Sequence, residues 1–314
     1  MSSSAIAVID IGSNTIKLLV ATRAAAGPIT TLHFAAEEVR ISRGLGAARP
    51  VLSEEGMARG LAAIQRLLAV AGRFAPRETV LVATSAVRDA ANGAVFCARI
   101  AAATGHPVRI LTGDEEANFI GRGLMVDPAL TGLCDFYLFD LGGGSLECLM
   151  FCGRATAQAL SLPLGCVRLT ESCVPDPAQP FTAADRASIA ATVREVLAAS
   201  GFRFALPPAS PAVATGGTVT AARAILAAQT GRSLEETPAT VSTAELEQLL
   251  GLTAPLPLPQ RRAVPGLPSK RADVFPAALA TLLEVAGLAQ VDRFAHSFYN
   301  LRYGIAAESL DRTP

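Results

Sequence analysis

The 314-residue sequence predicts an α/β fold whose organisation is used twice. Three observations predict it. Short runs rich in Ile, Val, Leu and Phe alternate with longer stretches of helical periodicity, the pattern of sheets covered by helices. An apolar run that ends in Asp, turns through glycine and resumes as a second apolar run occurs at Asp10 and again at Asp140. Apolar residues make up 51% of the chain, enough for one large core or two ordinary ones.

The elements follow in order. Residues 5–9 and 16–21 read as a hairpin broken by the polar turn Gly12-Ser13-Asn14, and 29–35 as a third strand. Ser53 is placed to cap a helix that runs to about Phe74, with Glu54 and Glu55 in its first turn and Met57, Leu61, Ile64 and Leu68 on one face. A strand at 79–83, a helix over 89–103, a strand at 108–111 and a helix from about Asp114 complete the first half. Asp127-Pro128 then interrupts the chain, which puts the boundary between the halves near 125–131. The order then restarts with strands at 136–139, 146–151 and 155–162. A helix at 183–199 capped by Thr182 follows, then a strand at 212–214 leading into TGGT and another helix. The proline-rich stretches 206–211 and 255–268 read as loops.

Composition excludes several classes. Lys plus Arg and Asp plus Glu both number 27, so the net charge is zero and no global field draws the chain to nucleic acid or to an anionic membrane. Neither is expected as a partner, and a polyanion would have to be met by a local cluster. Six cysteines without a CxxC pair, and only three histidines, give no standard zinc constellation. Buried, reduced thiols are expected. MSSSAIAVID lacks the basic segment and apolar core of a signal peptide, and no apolar run reaches membrane-spanning length, so the expected compartment is the cytoplasm.

The chemistry gathers at the turns. Glycines at a strand-to-strand turn admit a ligand to the backbone, and successive N–H groups there form an anion site. Gly12, Ser13 and Asn14 make one such turn, and Gly142, Gly143, Gly144 and Ser145 another. Each is also consistent with a plain hairpin turn, but the pair, each preceded by an Asp, points to phosphate. Asp140 and Glu147, seven residues apart on a tight hairpin, can meet across it. Two carboxylates beside phosphate call for a hard cation. Mg²⁺ suits, with Mn²⁺ as a substitute, Asp140 as anchor, Glu147 in support and Asp10 assisting.

LTGDEEANFIGRG opens a helix with Asp114, Glu115 and Glu116. Acids in a first turn are favoured by the helix dipole alone. One of them near a metal–phosphate site could instead take a proton from water. Arg88, just past a strand end in ATSAVRDAAN, is placed to fork onto phosphate. Gly216, Gly217 and Thr218 in VATGGTVTAAR form a further strand–turn–helix site of the phosphate-binding kind.

DIGSNTIKLLV, TSAVRDAAN, TGDEEA, FDLGGGSLE, LPLGCVRLTE, ATGGT and SFYNLRYGI occur in an order that resembles the exopolyphosphatase / guanosine pentaphosphate phosphohydrolase (Ppx/GppA) family. The chain looks like a short, two-domain member. The resemblance implies an actin-like fold, a duplicated ribonuclease H-like α/β unit with two domains flanking a cleft. Residues 1–126 would form domain I, 127–298 domain II, and a final helix over about 299–314 would return to domain I. It implies Glu116 as catalytic base, Asp140 and Glu147 at the metal, the two turns and Arg88 on phosphate, and a possible homodimer. It also leads one to expect a glycine where KRADVFPAAL has Ala277 and Ala278.

The expected activity is Mg²⁺-dependent hydrolysis of the terminal phosphoanhydride of inorganic polyphosphate, with guanosine pentaphosphate 5′-hydrolysis as the alternative substrate reading. Arg261, Arg262, Lys270 and Arg271 could form a basic track for polyphosphate or a solvated loop. An actin-like kinase or ATPase and a non-catalytic polyphosphate sensor are the remaining readings. An intact Glu116 argues against both.

Overall fold

The computed structural model describes residues 5–24, 27–41 and 50–312. Thr313 and Pro314 of the expected last helix, and the first four residues, lie outside the described residues. The chain divides into two compact units, Met1–Gly132 with Tyr299–Pro314, and Leu133–Phe298.

In chain order the first unit contains β1 (Ile6–Ile11), β2 (Thr15–Arg23), β3 (Ile29–Glu38), α1 (Glu54–Gly72), β4 (Glu78–Ala83), α2 (Ser85–Arg88), α3 (Gly93–Thr104), β5 (Val108–Ile110) and α4 (Gly113–Met125). The second contains β6 (Phe136–Leu141), β7 (Leu146–Cys152), β8 (Ala155–Leu162), α5 (Cys166–Cys173), α6 (Ala183–Ser200), β9 (Ala212–Thr215) and α7 (Gly217–Gln229). It continues with β10 (Thr240–Ser242), α8 (Thr243–Thr253), α9 (Leu258–Arg261), α10 (Phe275–Ala289) and β11 (Arg293–His296). The last helix, α11 (Leu301–Asp311), belongs to the first unit.

The sheets show the duplication directly. The first runs β3-β2-β1-β4-β5 and the second β8-β7-β6-β9-β11-β10. In both, three antiparallel strands lead into parallel neighbours: β1 pairs β4 and β4 pairs β5, while β6 pairs β9 and β9 pairs β11. The second sheet carries one added antiparallel edge strand, β10. The inner strands β1 and β6 are buried along their whole length, which is why both read as unbroken apolar runs ending in Asp.

α1 begins where Ser53 accepts from the Gly56 N–H, but its buried stripe is Met57, Gly60, Ile64, Leu67 and Ala71, so Leu61 and Leu68 sit at the margin. Gly60 sets this phase, because a Cβ there would lie 2.8 Å from the Phe96 ring. The helix expected from Asp89 starts instead at Gly93. Asn92 makes two hydrogen bonds to the Leu52 backbone, both 2.8 Å, and a Cβ on Gly93 would lie 2.0 Å from the Val87 carbonyl. α4 and α11 pack backbone to backbone: a Cβ on Gly123 would meet the Asn300 oxygen at 2.0 Å, and one on Gly304 the Phe119 oxygen at 1.9 Å.

The units change at Gly132/Leu133, after a 3-10 turn at Pro128–Leu130 that Asp127 caps. Three expectations need correction. The stretch 255–268 contains the short helix α9. Ala277 and Ala278 lie buried in the opening turns of α10, where an alanine serves the helix better than glycine. All six cysteines are free, but only Cys148 and Cys166 are buried, while Cys134 and Cys152 are exposed. Among the described residues no helix is long and apolar enough to cross a membrane.

Candidate active site

In the first unit three motifs leave the carboxyl ends of adjacent parallel strands, where ligands gather in α/β sheets. Ile11 pairs with Ala83 and Ala83 with Ile110, so the turn Gly12-Ser13-Asn14, the segment from Thr84 to Arg88 and the start of α4 emerge side by side. Asp10, Ser13, Asn14 and Glu116 are buried.

The acidic trio divides by partner. Glu115 forms a capping box with Thr112, accepting its N–H at 2.8 Å, and pairs with Arg109 at 2.6 Å. These contacts hold its carboxyl below the usual range, the Thr112 N–H most of all. Glu116, one residue on, accepts from Arg88 Nη1 at 2.7 Å; the same Nη1 donates to the Leu111 carbonyl at 3.1 Å. The two residues assigned separate roles from sequence are thus one ion pair, its carboxylate buried and its guanidinium half-buried.

Asp10 also has a cation. Arg302 of α11 donates from Nη1 to Asp10 Oδ2 at 3.2 Å, and both are buried. Its guanidinium lies 5.3 Å over the Phe34 ring. Sequence reasoning missed this arginine, although it stands inside SFYNLRYGI; only the return of α11 to β1 reveals its partner.

In the second unit, Asp140 and Glu147 are directly opposed across the β6–β7 pair. Opposed residues share a face of the sheet, with Cβ atoms roughly 4.5–5.5 Å apart. Both are buried, and Ser161 on β8 donates to Glu147 Oε1 at 2.7 Å. Burial, and then the charge of Glu147, push the neighbouring Cys148 thiol well above its ordinary range. Like charges in this position destabilise a sheet unless a cation joins them. Among the described residues no third His, Cys, Asp or Glu completes a larger cluster. Two carboxylates with oxygen donors fit Mg²⁺, which keeps several waters.

The glycine loop is built by α5. Gly142 N–H closes the turn on the Ser145 carbonyl at 3.0 Å. The Cys166 N–H donates to the Gly142 oxygen (3.0 Å), Val167 and Arg168 N–H to the Gly143 oxygen (2.8 and 3.2 Å), and Arg168 Nε to the Gly144 oxygen (3.0 Å). In a planar trans peptide the next N–H points opposite to the carbonyl. Holding three carbonyls toward α5 therefore turns the N–H groups of Gly143, Gly144 and Ser145 the other way, as an anion site requires. Gly165 makes the approach possible, since its Cβ would fall 2.3 Å from the Gly144 carbonyl carbon. LPLGCVR carries this function, and its bare sequence gave no sign of it.

β9 ends beside β6, with Thr215 paired to Asp140. Gly216 has φ of 96°, and a Cβ there would lie 2.7 Å from Asp140 Oδ1. The Arg271 guanidinium covers Gly217, its Nη1 2.1 Å from where a Cβ would be. Thr215 and Thr218 hydroxyls are fully buried and have no hydrogen-bond partner among the described residues. Behind the turn, Arg223 Nη1 donates to His296 Nδ1 (2.8 Å), His296 Nε2 meets Thr220 Oγ1 (3.2 Å), and Thr220 donates to the Gly216 carbonyl (2.9 Å).

The basic track loses a member. Arg261 is buried and its guanidinium serves five backbone carbonyls, those of Thr253, Pro177, Ala272, Gln179 and Leu256. It knits the fold and cannot meet a polyanion.

The comparisons with known proteins agree with this architecture. The family model for the Ppx/GppA phosphatase family matches residues 19–313. An exopolyphosphatase crystal structure from Cytophaga hutchinsonii superposes with a TM-score of 0.85 at 24% identity, covering 98% of each chain. The Aquifex aeolicus PPX-GPPA enzyme gives 0.78 at 21% identity, covering 97% of this chain and 99% of that one. The α/β architecture with two mixed sheets is the actin-like two-domain fold of those structures. With a family match across almost its whole length, the chain belongs to the Ppx/GppA phosphatase family.

Proposed function

We propose that the protein is an exopolyphosphatase that removes the terminal phosphate of inorganic polyphosphate with Mg²⁺ bound. As a member of its family it is a hydrolase of phosphoric anhydrides. The observation that carries the finer reading is the Glu116–Arg88 pair at 2.7 Å, set beside the Gly12-Ser13-Asn14 turn at the ends of parallel strands. Glu116 orients a water and takes its proton as the water oxygen bonds to the terminal phosphorus. The bridging P–O bond breaks, and the shortened chain leaves with the electron pair. Arg88 keeps the carboxylate aimed through Nη1, and its Nη2 edge meets a phosphate oxygen. Within the second unit, the Gly143, Gly144 and Ser145 N–H groups are preorganised for phosphate oxygens. Asp140, supported by Glu147, would hold Mg²⁺ there, which when bound supplies neutralisation of phosphate charge.

One observation favours the guanosine pentaphosphate reading. The removal of Arg261 into the core shortens the basic track that a long polyanion would use. The two are separated by phosphate release, with Mg²⁺, from short and long polyphosphate, guanosine pentaphosphate and ATP side by side. Polyphosphate release that falls about 10²–10⁴-fold in Glu116→Gln supports the main reading. Release from guanosine pentaphosphate alone moves the same chemistry to the alarmone. A Glu116→Gln variant with full activity removes Glu116 from the role of base.

A further inference from the structure

Asn14 is held unusually firmly for a turn residue. Its backbone carbonyl accepts from the N–H groups of both Val39 (3.0 Å) and Arg40 (3.1 Å), and its side-chain Oδ1 accepts from Arg40 Nε at 3.0 Å. Its Nδ2 is buried and meets no acceptor among the described residues. Arg40 itself has φ of 44°, a left-handed conformation that costs a non-glycine residue energy. That conformation lets one residue deliver both its N–H and its Nε to Asn14. Arg59 of α1 holds it in place, donating to the Val39 and Arg40 carbonyls at 3.2 and 3.1 Å.

The chemistry of the contact fixes the amide. A guanidinium can only donate, so it must face the oxygen of Asn14, and the NH₂ must then face the other way. A buried NH₂ without an acceptor is costly unless a ligand supplies one. We infer that Arg40 is a positioning residue. It fixes the orientation of the Asn14 amide so that Nδ2 donates to a phosphate oxygen of the substrate. The inference rests on the phosphate-binding reading of the Gly12-Ser13-Asn14 turn, and it adds a residue outside every motif recognised in the sequence. Without Arg40 the amide can turn and present its oxygen to the anion.

The test is a double-mutant cycle read by calorimetric titration with tripolyphosphate, so that binding rather than turnover is measured. Arg40→Gly removes the guanidinium and suits a positive φ, so it keeps the fold. Arg40→Gly and Asn14→Ala should each weaken binding by about 10- to 100-fold, the range for a hydrogen bond to a charged group. The double variant should be no weaker than Asn14→Ala alone. Asn14→Asp keeps an oxygen for Arg40 but turns a second oxygen on the phosphate, so it should bind more weakly than Asn14→Ala. Losses that add in the double variant, or Asn14→Asp binding as tightly as wild type, would overturn the inference while leaving the proposed function intact. Wild-type protein that binds no tripolyphosphate would overturn the phosphate reading and this inference with it.

Discussion

The two hairpins that head the two sheets share a spacing and differ in charge. In the first, Asp10 stands opposite Lys17; in the second, Asp140 stands opposite Glu147. The first acid is further answered by Arg302 from α11, while the Glu147 that faces the second accepts from the Ser161 hydroxyl. The same strand–turn–strand device thus sets an acid opposite a base in one unit and an acid opposite an acid in the other. An opposed acid and base hold structure, and two opposed acids suit a hard cation. The turns differ as well. The first is clamped from the end of β3 through Asn14, while the second is buttressed by the N-terminal turn of α5 through its carbonyls.

The sharpest break should come at the opposed acids. Asp140→Asn should lower kcat by about 10²–10³-fold, the cost of removing one electrostatic stabiliser, with the melting temperature preserved. Asp10→Asn should do the reverse. Breaking a buried ion pair from one side costs about 3–5 kcal/mol, so thermal unfolding should report a large loss of stability while metal affinity stays near wild type. Glu147→Gln comes next, weakening Mg²⁺ binding by about 10- to 100-fold, as expected for a supporting partner.

A smaller contrast lies in the glycines. A Cβ on Gly12 would sit 2.9 Å from the Thr15 carbonyl, whereas one on Gly142 would meet only the Ser145 carbonyl at 3.4 Å. Gly12→Ala should therefore cost about 1–3 kcal/mol in chemical denaturation. Gly142→Ala should stay within about 0.5 kcal/mol.

The finest test concerns pH. His296 accepts from Arg223 and so is neutral in the fold; burial, and then the Arg223 charge, lower it from 6.5 to about 4. Between those values the unfolded chain binds a proton that the folded chain does not, so stability should fall as pH drops from about 6.5 toward 4. That part of the slope should disappear in His296→Gln.

What could be read from the sequence was whatever is local. Ser53 and Thr182 announced their helices because a cap and its target lie three residues apart. The hairpins and the opposition of Asp140 to Glu147 followed from a tight turn. What escaped depends on distant chain. Arg302 is 292 residues from Asp10, Arg168 reaches back 24 residues to Gly144, and Arg40 reaches 26 residues to Asn14. Each is a surface-type residue by composition, and only tertiary contact turns it inward. Arg261 shows the same effect in the opposite sense, since a residue expected on a basic track is buried among carbonyls. The start of α3 was misplaced for a related reason, because Asn92 is engaged by Leu52, 40 residues earlier.

The measurement that bears most directly on the contrast between the hairpins is a calorimetric Mg²⁺ titration of wild type, Asp10→Asn and Asp140→Asn. Wild-type affinity in Asp10→Asn and its loss in Asp140→Asn is the predicted result. Equal loss in both variants, or in neither, would contradict the assignment of the metal to the second hairpin.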